Sequence, residues 1–174
     1  MRSAVVVAVP EAEPVVGHLR LQHTSDAPRG MPPHVTLLFP FVPAGQVAEA
    51  EHLLAPLVLG HAAFDATFAR TARFATVLYV EPQPAEPFCM LTQAIAATWP
   101  EHPPYQGEHE TVIPHLTVAT SDDGALLDAL AAEVAPGLPL RTRVDAVSVF
   151  AEDGQGRWRE HNRLPLGGPG QGVA

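Results

Sequence analysis

The sequence contains no lysine, and ten arginines are its only basic side chains besides histidine. Nineteen acidic residues give the 174-residue chain a formal net charge of −9. Proteins that bind long nucleic acids rely on many lysine and arginine contacts with phosphates, which release counterions. We therefore expect no binding of a long nucleic acid. Any nucleic-acid substrate should be short, or contacted at one end only.

Cysteine and long apolar runs are also scarce. The one cysteine, Cys89, excludes an internal disulfide, and its apolar neighbours favour a buried, inert thiol over a nucleophile. No stretch approaches the roughly 18 uninterrupted apolar residues that a membrane-spanning helix needs. The apolar run from Ala4 to Val9 is too short for the core of a signal peptide and is typical of a buried strand. We expect a cytoplasmic protein without membrane contact.

The length suits one folding unit, for which we predict the bounds 1–166, followed by a glycine-rich flexible tail at 167–174. Hydrophobic periodicity predicts the order strand, helix, strand, helix, strand twice, in pseudo-repeats of about 1–72 and 73–166. The predicted strands lie near 3–9, 34–41, 61–70, 74–80, 112–120, 140–150 and 157–164, and the helices near 11–24, 45–57, 86–98 and 122–134. Because a duplicated chain supplies internally what a dimer would otherwise build, we expect a monomer.

Nearly the same pentapeptide opens the second predicted strand of each repeat. It reads Pro-His-Val-Thr-Leu at 33–37 and Pro-His-Leu-Thr-Val at 114–118. With nine histidines and eleven threonines in the chain, a single His-x-Thr would arise by chance about half the time. Two copies with the same flanking residues, at equivalent places in a repeated order, are a strong signal.

Side chains alternate between the faces of a strand, so His34 and Thr36 share a face, as do His115 and Thr117. Brought together across a pseudo-twofold axis, they would offer two imidazoles and two hydroxyls to one site. One neutral histidine can accept a proton while the other, protonated, donates one, and the threonines can donate hydrogen bonds to phosphate oxygens. This chemistry suits displacement at phosphorus and requires neither a metal nor a cofactor. A lone histidine on a half-buried strand is more often structural, but packing alone would not also demand the threonine.

The two motifs, with their surroundings at 30–41 and 113–119, resemble the two-histidine phosphoesterase superfamily, which includes bacterial 2′-5′ RNA ligase-like proteins and cyclic nucleotide phosphodiesterases. The resemblance implies an α+β, bilobal fold in which two antiparallel sheets face a central cleft with helices packed outside. It also implies a metal-free reaction on 2′,3′-cyclic phosphates or 2′-5′ linkages of nucleotides or short RNA ends. By motif, His34 and His115 carry over as the catalytic pair, and Thr36 and Thr117 as phosphate-binding residues.

Two further residues are candidate substrate contacts. Arg29 is the basic residue nearest the first motif, and Tyr105 lies in the loop before the second, where it could stack on a base or serve as a plain loop anchor. Histidines and glutamates crowd the same loop, but their spacing matches no zinc site, so we predict no metal.

Two other functions stay open at this stage. The duplicated site could recognise phosphate in a nucleotide or RNA without turnover, or it could join RNA ends by the reverse reaction. The sequence does not identify which histidine is the base.

Overall fold

The computed structural model describes residues 1–102 and 113–168. Within them the chain forms an α+β fold of eight strands and four α-helices. The strands are β1 Ser3–Ala8, β2 His34–Leu38, β3 Phe64–Arg73, β4 Val77–Gln83, β5 Leu116–Thr120, β6 Leu140–Val144, β7 Ala146–Glu152 and β8 Trp158–Pro165. The helices are α1 Glu13–His23, α2 Val47–Leu59, α3 Glu86–Thr98 and α4 Gly124–Val134.

All eight strands belong to one antiparallel sheet, in the order β6-β3-β4-β5-β2-β1-β7-β8. The antiparallel α+β class is confirmed, but two separate sheets facing a cleft are not. Two four-stranded halves meet where β5 lies beside β2, and a single register pair, Val35 with Leu116, joins those strands. The two motif strands are therefore neighbours at the centre of one sheet.

Each half of the sheet takes strands from distant parts of the chain. Strand β3 pairs with β4 and β6, whereas β7 and β8 extend the half that contains β1 and β2. The single strand predicted over 140–150 is wrong for this reason. The chain leaves β6, paired with β3, and after Asp145 enters β7, paired with β1 in the other half. An uninterrupted strand cannot pair in both places.

The packing gives the sheet two different faces. The main core joins one face, including Val5, Val7 and Val35, to inward residues of all four helices, such as Leu54 and Ile95. On the opposite face lies a smaller cluster, made of Ala4, Val6, Met31, Phe150 and Trp158, with Phe39 packed against it. The alternation of side chains along β1 produces this division. The helices pack on the first face, and the second face has room for a site.

The described part of the chain contains no helix whose length and apolar character would let it cross a bilayer.

Near the C-terminal end of the described residues, the Gly167 N–H donates to the His61 carbonyl (2.7 Å) and the Gly167 carbonyl accepts from the Ala63 N–H (2.9 Å). Residues 169–174 of the predicted tail lie outside the described residues.

Candidate active site

A cavity of about 290 Å³ opens on the second face of the sheet, at the junction of its halves. Its lining includes the histidine and threonine of both motifs, as well as Arg29. Its other lining residues are Arg2, Ala4, Thr24, Ser25, Asp26, Met31, Phe39, Thr120 and Trp158. The tertiary structure thus brings together the five described residues that the sequence analysis selected.

The strand register explains how the motif side chains meet. β2 and β5 run antiparallel, and Val35 lies opposite Leu116. In an antiparallel pair the next residues along the two strands also face each other, so His34 lies beside Thr117 and Thr36 lies beside His115. Val35 and Leu116 are fully buried in the core. Their neighbours therefore project to the other face, into the cavity. Each histidine stands next to the threonine of the other motif.

Both imidazoles are oriented by the same type of hydrogen bond. Nδ1 of His34 lies 2.8 Å from the Pro32 carbonyl oxygen, and Nδ1 of His115 lies 2.7 Å from that of Ile113. A carbonyl can only accept, so each Nδ1 carries a proton and donates it. In the neutral ring Nε2 then holds the lone pair, and it is the atom that gains or loses a proton.

Burial makes both histidines weak bases. Loss of hydration, followed by the charge of Arg20, lowers the pKa of His34 to about 4, against the opposing influence of the Pro32 hydrogen bond and Asp26. Burial also lowers the pKa of His115, against its hydrogen bond to Ile113. Without a bound anion, both rings are therefore neutral near pH 7.

The surroundings of the two histidines differ. The His115 ring meets the ring of Phe74 edge-on at 5.2 Å between centroids and lies 5.5 Å from that of Tyr79, while these two rings stack at 4.4 Å. His34 instead lies in the field of Arg20, a side chain that is only 1% exposed. Arg20 was not predicted from the sequence, although its position four residues after the buried Val16 places a charge on the apolar stripe of α1.

Outside the motifs, the charged and aromatic lining residues of the cavity are Arg2, Arg29, Asp26, Phe39 and Trp158, and Glu152 binds the two arginines. Glu152 Oε1 accepts hydrogen bonds from Arg2 Nη2 (2.5 Å) and Arg29 Nη1 (3.2 Å). The Arg2 hydrogen bond is the main reason that the pKa of Glu152 falls to about 2. The Arg2 guanidinium also lies 5.5 Å from the ring centre of Phe39 and 5.8 Å from that of Trp158. Trp158 is buried in the second core cluster, and Arg2 was not predicted.

Tyr105 lies outside the described residues, so its predicted contact stays a prediction. Most of the histidines and glutamates of its loop also lie outside the described residues. Among residues 1–102 and 113–168, no group of three or more His, Cys, Asp or Glu side chains is arranged to hold a metal ion.

Comparison with known proteins places these observations in a family. Residues 8–156 match the family described as the 2′-5′ RNA ligase superfamily. No curated protein sequence gives a significant match. Among solved structures, TT0787 of Thermus thermophilus is similar with a TM-score of 0.64 and 21% identity, covering 97% of this chain and 100% of that one.

Two structures of Escherichia coli LigT are also similar. LigT complexed with 3′-AMP gives a TM-score of 0.60 at 17% identity, and the match covers 95% of this chain and 97% of LigT. LigT complexed with ATP gives a TM-score of 0.62 at 19% identity, and the match covers 95% of this chain and 98% of LigT. At these identities the likeness establishes the fold.

Proposed function

Since the chain belongs to the 2′-5′ RNA ligase superfamily, we propose that it is a phosphodiesterase acting on 2′,3′-cyclic phosphates or 2′-5′ linkages of nucleotides or short RNA ends. Membership of this superfamily supports phosphodiesterase-type activity. The observation that carries the proposal further is the meeting of both His-x-Thr motifs in one cavity. The choice of nucleotides as the substrate class is supported by the structures of LigT solved with 3′-AMP and ATP.

The proposed catalytic pair is His34 and His115. For a cyclic phosphate, Nε2 of one neutral histidine accepts a proton from water as the water oxygen bonds to phosphorus. The bond from phosphorus to one ribose oxygen breaks, and the other histidine, as imidazolium, donates a proton to that oxygen. The products are a phosphomonoester and a free ribose hydroxyl. Both Nδ1 hydrogen bonds to backbone carbonyls support this use of Nε2.

The substrate itself supplies the charge that the acid needs. Burial keeps the pKa values of both histidines low before substrate binds. A phosphate anion between the rings favours the charged form of an imidazole beside it, so binding is expected to protonate one of them. The enzyme then enters the reaction with one neutral and one protonated histidine.

The remaining lining residues support binding of a nucleotide. The hydroxyls of Thr36 and Thr117 would donate to the non-bridging phosphate oxygens, where negative charge increases in the transition state. Arg2 and Arg29 line the cavity and share Glu152, while the lining residue Asp26 is paired with the buried Arg20, so three arginines and two carboxylates leave this region net positive. The proposed reaction uses no metal ion and no cofactor. Because one chain supplies all of these groups, we propose that a monomer is the active unit.

The proposal is tested by hydrolysis of a panel of nucleoside 2′,3′-cyclic phosphates and 2′-5′-linked dinucleotides in excess EDTA. Wild-type protein is compared with His34→Ala and His115→Ala. We expect turnover that survives EDTA and falls by at least about a hundredfold in kcat in each variant, because each removes one proton-transfer group. His52→Ala is the matched control, since His52 is exposed and lies outside the cavity.

Several outcomes would contradict the proposal. Turnover abolished by EDTA would show a metal-dependent reaction, and unchanged turnover in either cavity variant would remove that histidine from the mechanism. Binding of a 2′,3′-cyclic nucleotide without turnover of any substrate would favour the phosphate-recognition module. Joining of RNA ends without hydrolysis would favour the ligation reaction.

A further inference from the structure

Arg20 lies near the end of α1 and is the largest charged side chain in the interior among the described residues, with 1% of its surface exposed. Burying a guanidinium is costly unless its donors find acceptors. Arg20 does not line the cavity that holds the histidines. Its burial therefore needs a reason other than contact with substrate.

The hydrogen bonds of Arg20 lead to both motifs. Nη1 donates to the Thr117 carbonyl oxygen at 2.6 Å, within β5. Nη2 donates to the Asp26 carboxylate at 3.0 Å and to the Pro32 carbonyl oxygen at 3.3 Å. The same Pro32 carbonyl accepts the Nδ1 hydrogen bond of His34. One planar side chain thus contacts the backbone of the second motif and the acceptor that orients the histidine of the first.

This bridge spans the weakest junction of the sheet. Neighbouring strands elsewhere in the sheet share four to seven register pairs, whereas β2 and β5 share only Val35 with Leu116. The backbone positions of the two motifs are therefore poorly fixed by the strand ladder alone. Arg20 adds a second connection across the junction, because it bonds both the Pro32 carbonyl, two residues before His34, and the Thr117 carbonyl, two residues after His115.

Arg20 also acts on His34 through its charge. The charged or titratable groups that act on His34 are Arg20 on α1, Asp26 after α1 and His115 beside β5. The cation opposes protonation of His34, and Asp26 favours it. Arg20 and Asp26 are hydrogen bonded to each other, so their opposing effects on the pKa of His34 come from one ion pair.

We infer that Arg20 is a positioning residue, which holds the two His-x-Thr motifs in register and places a positive charge near His34. The inference rests on the proposed function, in which a neutral histidine accepts the proton. Arg20 contacts neither substrate nor a reacting atom in this scheme. It acts through the Pro32 carbonyl, the Thr117 backbone and its own electric field.

The test separates charge from geometry with two substitutions. Arg20→Met removes both, whereas Arg20→Lys keeps the positive charge but cannot reach three acceptors with one planar fork. We expect the pKa of His34, followed by NMR of its imidazole, to rise by about one pH unit in Arg20→Met and to stay near the wild-type value in Arg20→Lys. We expect kcat on the best cyclic phosphate to fall at least about tenfold in both variants.

Two further variants complete the design. Arg70→Met removes an exposed arginine from its ion pair with Glu81 and should change neither readout. Asp26→Asn should shift the His34 pKa downward, opposite to Arg20→Met, because it removes the carboxylate that favours imidazolium. Asp26 is partly exposed (27%), so this variant tests the electrostatic balance if Arg20→Met does not fold.

A His34 titration that is unchanged in both Arg20→Met and Asp26→Asn would overturn the electrostatic part of the inference. Wild-type kcat in a folded Arg20→Lys variant would overturn the positioning part. NMR titration requires no turnover. An inactive wild-type protein would therefore count against the proposed function, while the His34 titration would still decide whether the charge of Arg20 acts on His34.

Discussion

At the scale of single residues, His34 is a half-buried side chain of the cavity whose orientation and charge are both set by its neighbours. It is held by a hydrogen bond from Nδ1 to a carbonyl, and it is placed where its charged form is disfavoured by burial and by a neighbouring cation. A histidine in the unfolded chain has a pKa near 6.5, whereas that of His34 in the folded protein is about 4. Folding therefore releases a proton from this site between those two values.

The lowered pKa of His34 makes the free energy of unfolding depend on pH. Between the two pKa values the unfolded chain binds more protons than the folded protein, so the free energy of unfolding falls as pH falls. From pH 7 to about pH 4.5, we expect His34 alone to remove on the order of 2 kcal/mol. The depressed pKa values of Asp26 and Glu152 matter at lower pH, because carboxylates in the unfolded chain titrate near pH 4.

Urea unfolding at pH 7 and at about pH 4.5, for wild type and His34→Gln, measures this contribution. The variant should lose less stability between the two conditions than wild type does, because glutamine does not titrate. His115 is present in both proteins and cancels in the comparison. An equal loss in the two proteins would show that the pKa of His34 is not depressed.

At the scale of elements, α4 shows how a helix start is fixed by one side chain. Asp123 Oδ1 accepts hydrogen bonds from the backbone N–H groups of Ala125 (2.9 Å) and Leu126 (3.2 Å), which have no partner inside the helix. The sequence pattern predicts a cap at Ser121 or Asp122, and that assignment is wrong by one or two residues. Ser121 instead accepts from the Asp123 N–H and so supports the cap.

Removal of this cap should destabilise the protein without touching the cavity. We expect Asp123→Ala to lower the free energy of unfolding by about 1 kcal/mol. Asp122→Ala is the matched control, since it removes an exposed carboxylate one residue away and should change stability by less than about 0.5 kcal/mol. Chemical denaturation measures both changes. Equal effects of the two substitutions would assign the loss to charge and not to the cap.

At the scale of the whole molecule, an acidic chain contains a cavity with a positive wall. The formal net charge is −9, whereas at the cavity Arg2 and Arg29 share Glu152 and the lining residue Asp26 is paired with Arg20, which sets three arginines against two carboxylates. Such a distribution attracts a phosphate once it is within the cavity and repels a polyanion along the rest of the surface. It should therefore select substrates by length.

We expect kcat/KM at low salt to be about tenfold lower for a long RNA than for a nucleoside with the same terminal 2′,3′-cyclic phosphate. Added salt screens the repulsion, so the value for the long RNA should rise with ionic strength and approach that of the nucleotide. Steady-state kinetics over a salt series checks both expectations. A value for the long RNA that falls with salt would indicate attraction to the polymer and contradict this view.

The sequence by itself determined the motifs and their shared face, and from them a class of chemistry is predicted. Strand periodicity is local, so the alternation that pairs His34 with Thr36, and His115 with Thr117, follows from two short segments. Apolar periodicity also predicts helix α3 correctly from Glu86 to Thr98. These features depend on neighbouring residues along the chain, and a single sequence contains that information.

The tertiary structure alone decided how the two motifs meet. The register of β2 against β5, the addition of β7 and β8 to the half of the sheet that holds β1, and the break at Asp145 all depend on pairing between distant segments. Arg2 escaped prediction because its partner Glu152 lies far away in the sequence, and the contact of Arg20 with Thr117 escaped it for the same reason. Local pattern specifies which face a side chain takes, but only the packed chain specifies what stands opposite it.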